Sequence, residues 1–195
     1  MTRLSSISPQ KPKQRKKNMA QTLDWDVVID EISGVYEILE AMGMASMSSS
    51  NGESLKLCVF DLRRGQNEGH ELDKILFFFP PDVSFSSQLS VIGLSEGLII
   101  FTRLFSPEAA CEVIEAERHS HVFYEAEPDI WMVMAVEKNK EIEAIWRVDA
   151  LQKVLKKVHS LFVMFHGSVR SLLDKEPSGG LIGSHLQLYV LFWNF

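Results

Sequence analysis

The stretch from residue 54 to residue 107, SLKLCVFDLRRGQNEGHELDKILFFFPPDVSFSSQLSVIGLSEGLIIFTRLFSP, contains a helical pattern that is apolar around more than one face. Leu94, Leu98, Phe101 and Phe105 follow the spacing of a single stripe and are expected to lie on the domain's own core. Ile92, Ile99 and Ile100 fall outside that stripe and need cover of their own. Ser86, Ser90, Gly93 and Gly97 make a third stripe with almost no side chain. A glycine inside a helix costs roughly 1 kcal/mol relative to alanine, so two of them imply an offsetting gain. Close approach of another backbone is the simplest one. A helix that must be covered on two sides belongs to a module built to pair, which points to assembly rather than chemistry.

The flanking segments define what that helix rests on. Residues 55–62 and 74–79 read as strands apolar on both faces, so both faces of their sheet are expected to be covered. The polar loop between them carries Gly65 and Gly69, and Pro80–Pro81 ends the second strand because proline cannot donate a ladder hydrogen bond. The helix follows over residues 87–105 and stops before Pro107. Residues 111–118, 120–125 and 131–136 are three further strands, with Glu127–Pro128–Asp129 as turn chemistry between the last two. Val148, Leu151, Leu155, Val158, Phe162, Phe165, Val169 and Leu172 then recur at steps of three and four. They predict one continuous helix over residues 147–174, roughly 40 Å long, which covers the sheet rather than forming a coiled coil.

Both ends of the chain read differently from this middle. Residues 1–20 hold Arg3, Lys11, Lys13, Arg15, Lys16 and Lys17 and no acid, while the other 175 residues carry a net charge of −12. Residues 1–53 are therefore expected to be a basic leader and polar linker, with a short helix over residues 25–44. The domain is expected over residues 54–184. Residues 185–195 end in LQLYVLFWNF, eight of ten apolar, and read as an edge strand or as a poorly anchored apolar tail.

Several function classes are excluded or poorly supported. An acidic body does not neutralise phosphates, which argues against a nucleic-acid partner. Cys58 and Cys111 stand singly in apolar segments, which fits a reducing compartment and no disulfide framework. No uninterrupted apolar run reaches the ~18–20 residues of a membrane span. His119 and His121 share one side of a strand, with Glu117 and Glu125 nearby, but no second cluster completes a metal site. Gly93-Leu94-Ser95-Glu96-Gly97 matches the letters of a nucleophile elbow, yet it falls inside a helix rather than at a strand-to-helix bend. There is no phosphate-cradling or dinucleotide-binding glycine motif, and the paired acids Glu141 and Glu143 read as solvated. No catalytic residue, metal or cofactor is assigned.

The segments CVFDLRRG, KILFFFP, VIGLSEGLIIFTRLFSP, WMVMAVEK and SLFVMFHGSVRSLL closely resemble, in this order, the N-terminal region of the Ccz family, nearest to its plant members. The resemblance covers about residues 54–182. It implies a longin domain of the α+β class: a five-stranded antiparallel sheet between helices, in the order β-β-α-β-β-β-α. It further implies a subunit that joins a Mon-type longin partner to form a guanine-nucleotide exchange factor for a late-endosomal or vacuolar Rab GTPase. Such a protein is expected in the cytoplasm, peripherally on late-endosomal, prevacuolar or vacuolar membranes, and to need no catalytic chemistry of its own. Ser90, Gly93, Gly97 and Ile100 are then the partner-binding candidates, and Pro80, Pro81 and Asp82 the GTPase-facing ones. Family members are longer, so a truncated form is expected. The alternative function is a longin trafficking adaptor without exchange activity.

Overall fold

In the computed structural model, residues 55–108, 111–117, 119–137 and 148–193 are described, with side chains as far as residue 189. The expected leader, linker and first helix lie outside these residues. Five strands form one antiparallel sheet: β1 (Leu55–Asp61), β2 (Ile75–Phe79), β3 (Val113–Glu115), β4 (His119–Glu127) and β5 (Ile130–Glu137). Their order across the sheet is β2-β1-β5-β4-β3, which puts β1 and β5 in the middle. Helix α1 (Phe85–Phe105) connects β2 to β3, and α2 (Val148–His166), α3 (Val169–Lys175) and α4 (Gly180–Trp193) follow the sheet. The expected five-stranded antiparallel sheet and the element order β-β-α-β-β-β along the chain are present, with a short 3-10 helix, Glu71–Lys74, added inside the first hairpin loop.

Strands apolar on both faces are indeed covered on both faces. Cys58, Phe60, Phe78, Phe123, Trp131 and Val133 point to one side and are buried with Ile92 and Ile99 of α1. Leu57, Val59, Val122, Ile130, Met132 and Met134 point to the other and are buried with residues of α2, α3 and α4. Alternation along a pleated strand produces the two sets. Each large side chain removed from water in this way contributes roughly 1.5–3 kcal/mol. A register shift between Val59 and Phe60 opposite β2 leaves Leu76 as an extra residue, and both Leu76 and Phe77 join the second cluster.

Two expectations about the C-terminal region are corrected. The predicted single helix over 147–174 is two helices. Gly167 has φ +83°, a left-handed conformation suited to glycine, and its N–H bonds Val163 O at 2.9 Å. Ser168 then caps α3 by accepting from Ser171 N at 3.1 Å. Glu127 on β4 adds a second cap, accepting from Val169 N at 2.6 Å and Arg170 N at 2.9 Å. A break is stable here because these carboxylate and hydroxyl oxygens satisfy the orphan donors of the new helix.

The second correction concerns the apolar end. Residues 185–189 are neither an edge strand nor loose: they continue α4, so the expected boundary after residue 184 falls inside a helix. Ile182 and Leu186 are buried in the second cluster and Tyr189 packs on it. α4 approaches β2 closely, since a Cβ on Gly183 would stand 3.0 Å from Leu76 O. The apolar residues that looked unattached have a sheet face to cover.

Candidate functional site

The site is the outer surface of α1. Its orientation is fixed by an inner stripe of Gln88, Ile92, Ser95 and Ile99, all buried. Their polar groups are satisfied locally: Gln88 Nε2 donates to Val83 O at 2.8 Å and Ser95 Oγ to Val91 O at 2.9 Å. Ion pairs hold the helix against rotation. Lys74 Nζ meets Glu96 Oε2 at 2.6 Å, with both side chains mostly shielded from water. Nearer the C-terminus, Arg103 reaches Glu125 at 2.9 Å and Asp129 at 3.5 Å and lies over the Trp131 ring at 5.4 Å. The arginines Arg63 and Arg103 hold the Asp129 carboxyl below the usual carboxylate range, Arg63 through its hydrogen bond first.

This orientation reverses the expected one. Leu94, Phe101 and Phe105 do not pack on the sheet; they are exposed, and Leu98 is half-buried. Ile92 and Ile99, expected to be off the core stripe, are fully buried. The physical reason is that Gln88 and Ser95 can be buried at little cost once bonded to backbone carbonyls. A hydrophobic-spacing argument reads them as solvent-facing.

What remains outside is an apolar surface along the helix. Phe101 is 58% exposed and Leu104 and Phe105 each 74%, with Phe85, Leu94 and Ile100 also open to solvent. The Phe101 and Phe105 rings sit 4.8 Å apart. The four partner-binding candidates, Ser90, Gly93, Gly97 and Ile100, are all on exposed positions. A Cβ built on Gly93 or Gly97 would meet nothing within 4 Å, so the domain's own packing does not require either glycine. Exposed apolar area of this kind marks interaction surfaces in soluble domains. By length and composition alone α1 could also cross a membrane, but its inner stripe is committed to the sheet. Phe85, Leu94, Phe101, Leu104 and Phe105 were not among the expected partner residues. The excess of apolar positions over what one face can bury was the available signal.

Pro80, Pro81 and Asp82 lie between β2 and the α1 N-cap, with Pro81 and Asp82 exposed and Pro80 half-buried. Ser84 caps the helix by accepting from Ser87 N at 3.4 Å. The bond from Gln88 to Val83 ties the same turn down. This loop therefore stands at the first turn of α1, separate from the cluster at Phe101 and Phe105 near the helix end.

Other candidate chemistry is not brought together. Ser95 is fully buried mid-helix with its hydroxyl bonded to Val91 O, so it has none of the exposure of an elbow nucleophile. The His119 and His121 rings are 6.4 Å apart on β4, and among the described residues no group of three or more His, Cys, Asp or Glu side chains could hold a metal ion. Burial, then His119 and Lys56, push the His121 imidazole below its ordinary range. Glu141 and Glu143 lie outside the described residues.

A five-stranded antiparallel sheet with one helix on one face and the C-terminal helices on the other is the longin architecture. Residues 55–167 match the family described as the first longin domain of INTU, CCZ1 and HPS4, and the chain belongs to that family. It is 81% identical over 149 residues to the protein named "Vacuolar fusion protein CCZ1 homolog B" from Arabidopsis thaliana, covering 76% of this chain and 30% of that protein. The protein named "Vacuolar fusion protein CCZ1 homolog" from Oryza sativa subsp. japonica is 63% identical over 148 residues, with 76% and 30% covered. The Dictyostelium discoideum homologue is 34% identical over 127 residues, with 60% and 28% covered. The chain thus spans about 30% of the length of the curated plant relatives it matches.

Proposed function

We propose that this domain acts in vacuolar fusion, the process for which its relatives are named, as one longin half of a heterodimeric Mon–Ccz type exchange factor. Its α1 surface binds a Mon-type longin subunit, and the pair forms a platform for a late-endosomal or vacuolar Rab GTPase. The domain works in the cytoplasm and reaches late-endosomal or vacuolar membranes peripherally, through the complex. The observation that carries this reading is the outer face of α1, where Leu94, Ile100, Phe101, Leu104 and Phe105 are exposed beside two glycines that leave open space. Ridges of one helix fit into the grooves of another most closely where small residues line the contact. A platform of this kind accelerates nucleotide release by stabilising the empty GTPase, which requires complementary surface and no covalent step.

Co-expression with a Mon-type subunit, followed by nucleotide-release kinetics on a late-endosomal Rab, tests the proposal. A stable complex that speeds release supports both halves of it. A complex without acceleration assigns the domain to the adaptor role, and absence of a complex removes the partner assignment.

A further inference from the structure

On the face of the sheet opposite α1, the helices meet at a histidine pair with no part in the proposed exchange platform. His166, the last residue of α2, and His185 of α4 lie ring on ring, centroids 3.9 Å apart and planes 11° from parallel. Phe162 stands 5.2 Å from the first ring and 6.4 Å from the second, and Tyr189 meets His166 edge-on at 6.0 Å. His185 Nδ1 is buried without a hydrogen-bond partner. Near-parallel rings carry their in-plane lone pairs side by side instead of converging on one point, so this is not the geometry of a metal-binding pair. It is the geometry of two stacked aromatic rings.

We propose that the His166–His185 stack is a proton-operated latch: with His166 neutral it holds α4 on α2 and β2, and protonation of His166 parts the stack and loosens α4. A charged His166 ring would be held, poorly solvated, face to face with the His185 ring, and the surrounding Phe162, Phe165 and Tyr189 offer no carboxylate to compensate. Among the described residues, the charged groups on neighbouring elements are either paired or turned to solvent. β2, which α4 crosses, carries only Ile and aliphatic or aromatic partners, ILFFF. On α3, Arg170 pairs with Asp61, while Asp174 and Lys175 are exposed. Glu176 accepts from Leu181 N at 2.8 Å in the first turn of α4, and the hydrogen bonds it accepts from Ser178 and Leu181 hold its carboxyl below the usual range, so it stays charged when His166 titrates. Burial pushes the Tyr189 phenol up to about 12, and it remains neutral. His159, earlier on α2, faces Tyr124 and Glu127 of β4.

The sign follows from the burial of His166. Desolvation, then the neighbouring His185, hold its imidazole below the ordinary value of 6.5. The unlatched form therefore binds protons more readily than the latched one, and the latch is complete above that value and weakens as pH falls through it.

Amide hydrogen exchange on the full chain, expressed as protection factors corrected for intrinsic rates, tests the latch near pH 7.5 and near pH 5.5. Protection at residues 182–189 should fall severalfold, up to about tenfold, since one pKa unit is a factor of ten, while β1 and β5 hold. In His166→Phe/His185→Phe, where stacking persists without titration, α4 should keep its protection. The proposal is overturned if α4 stays protected at the lower pH, if β1 and β5 open with it, or if the double variant loses as much. Should that variant not fold, the wild-type His166 ring protons give the answer: protonation of His166 must coincide with opening of α4, and a His166 ring that protonates over a closed α4 refutes the latch.

Discussion

Arg170 of α3 reaches Asp61 at the end of β1, 109 positions earlier, donating from Nη1 to Oδ2 at 2.6 Å and from Nη2 to Oδ1 at 3.4 Å. The carboxylate is fully buried and also accepts from Arg63 N at 3.0 Å. The same arginine donates to Pro128 O at 3.0 Å, so one side chain ties α3 to two neighbouring ends of the sheet. Removing one partner of a buried pair leaves an uncompensated charge, which costs about 3–5 kcal/mol. Partial exposure of Arg170 places Arg170→Met at the low end, about 3 kcal/mol by chemical denaturation. Asp61→Leu in the same chain should recover much of the loss.

The C-terminal helix should matter to stability. Ile182 and Leu186 are buried against the sheet, so Ile182→Ala or Leu186→Ala should destabilise by about 2–5 kcal/mol. Thermal unfolding checks this. Unchanged melting temperatures would mean that α4 is not part of the core.

Gly93 and Gly97 should behave as positions kept for something other than the fold. Both lie within α1 with open space where a Cβ would be, so Gly97→Ala should raise domain stability by roughly 0.5–1 kcal/mol. Larger side chains at either position should leave the isolated domain folded and obstruct a closely approaching helix. Circular-dichroism melts of the single variants give the first number.

The thiols should be quiet in the native state. Burial, opposed only by a backbone hydrogen bond at Val133, pushes Cys58 up to about 12, and burial also raises Cys111. The thiolate is the reactive form, so a disulfide reagent near pH 8 should label Cys58 only after denaturation. Cys111, raised less, should react more slowly than a free thiol. Rapid native labelling of Cys58 would contradict its placement between the sheet and α1.

The sheet was legible because its strands carry apolar residues on both faces, a pattern that only a doubly covered sheet satisfies. The break at Gly167 was not, although its signal was present. The three-and-four spacing runs unbroken from Phe165 to Val169 and Leu172, and it masked a Gly-Ser pair that ends one helix and caps the next. The α4 residues looked unattached because the face they cover is assembled from β2 and α2, distant in sequence. At the candidate site, spacing located the helix and its surplus of apolar surface but assigned the faces backwards. Ser95 and Gln88 are buried through backbone bonds that no residue pattern announces, and that leaves Leu94, Phe101 and Phe105 outside.

If the outward surface of α1 holds the partner, a charge placed on it should weaken binding and spare the fold. Leu94→Asp and Phe101→Asp each place a charge on an exposed position of α1, far from the buried stripe. Affinity for a Mon-type longin subunit is measured by titration calorimetry alongside the melting temperature of each variant. Binding should weaken by more than about tenfold, as for a desolvated interface residue, while the melting temperature is preserved. Binding that survives both substitutions unchanged would contradict this placement of the partner.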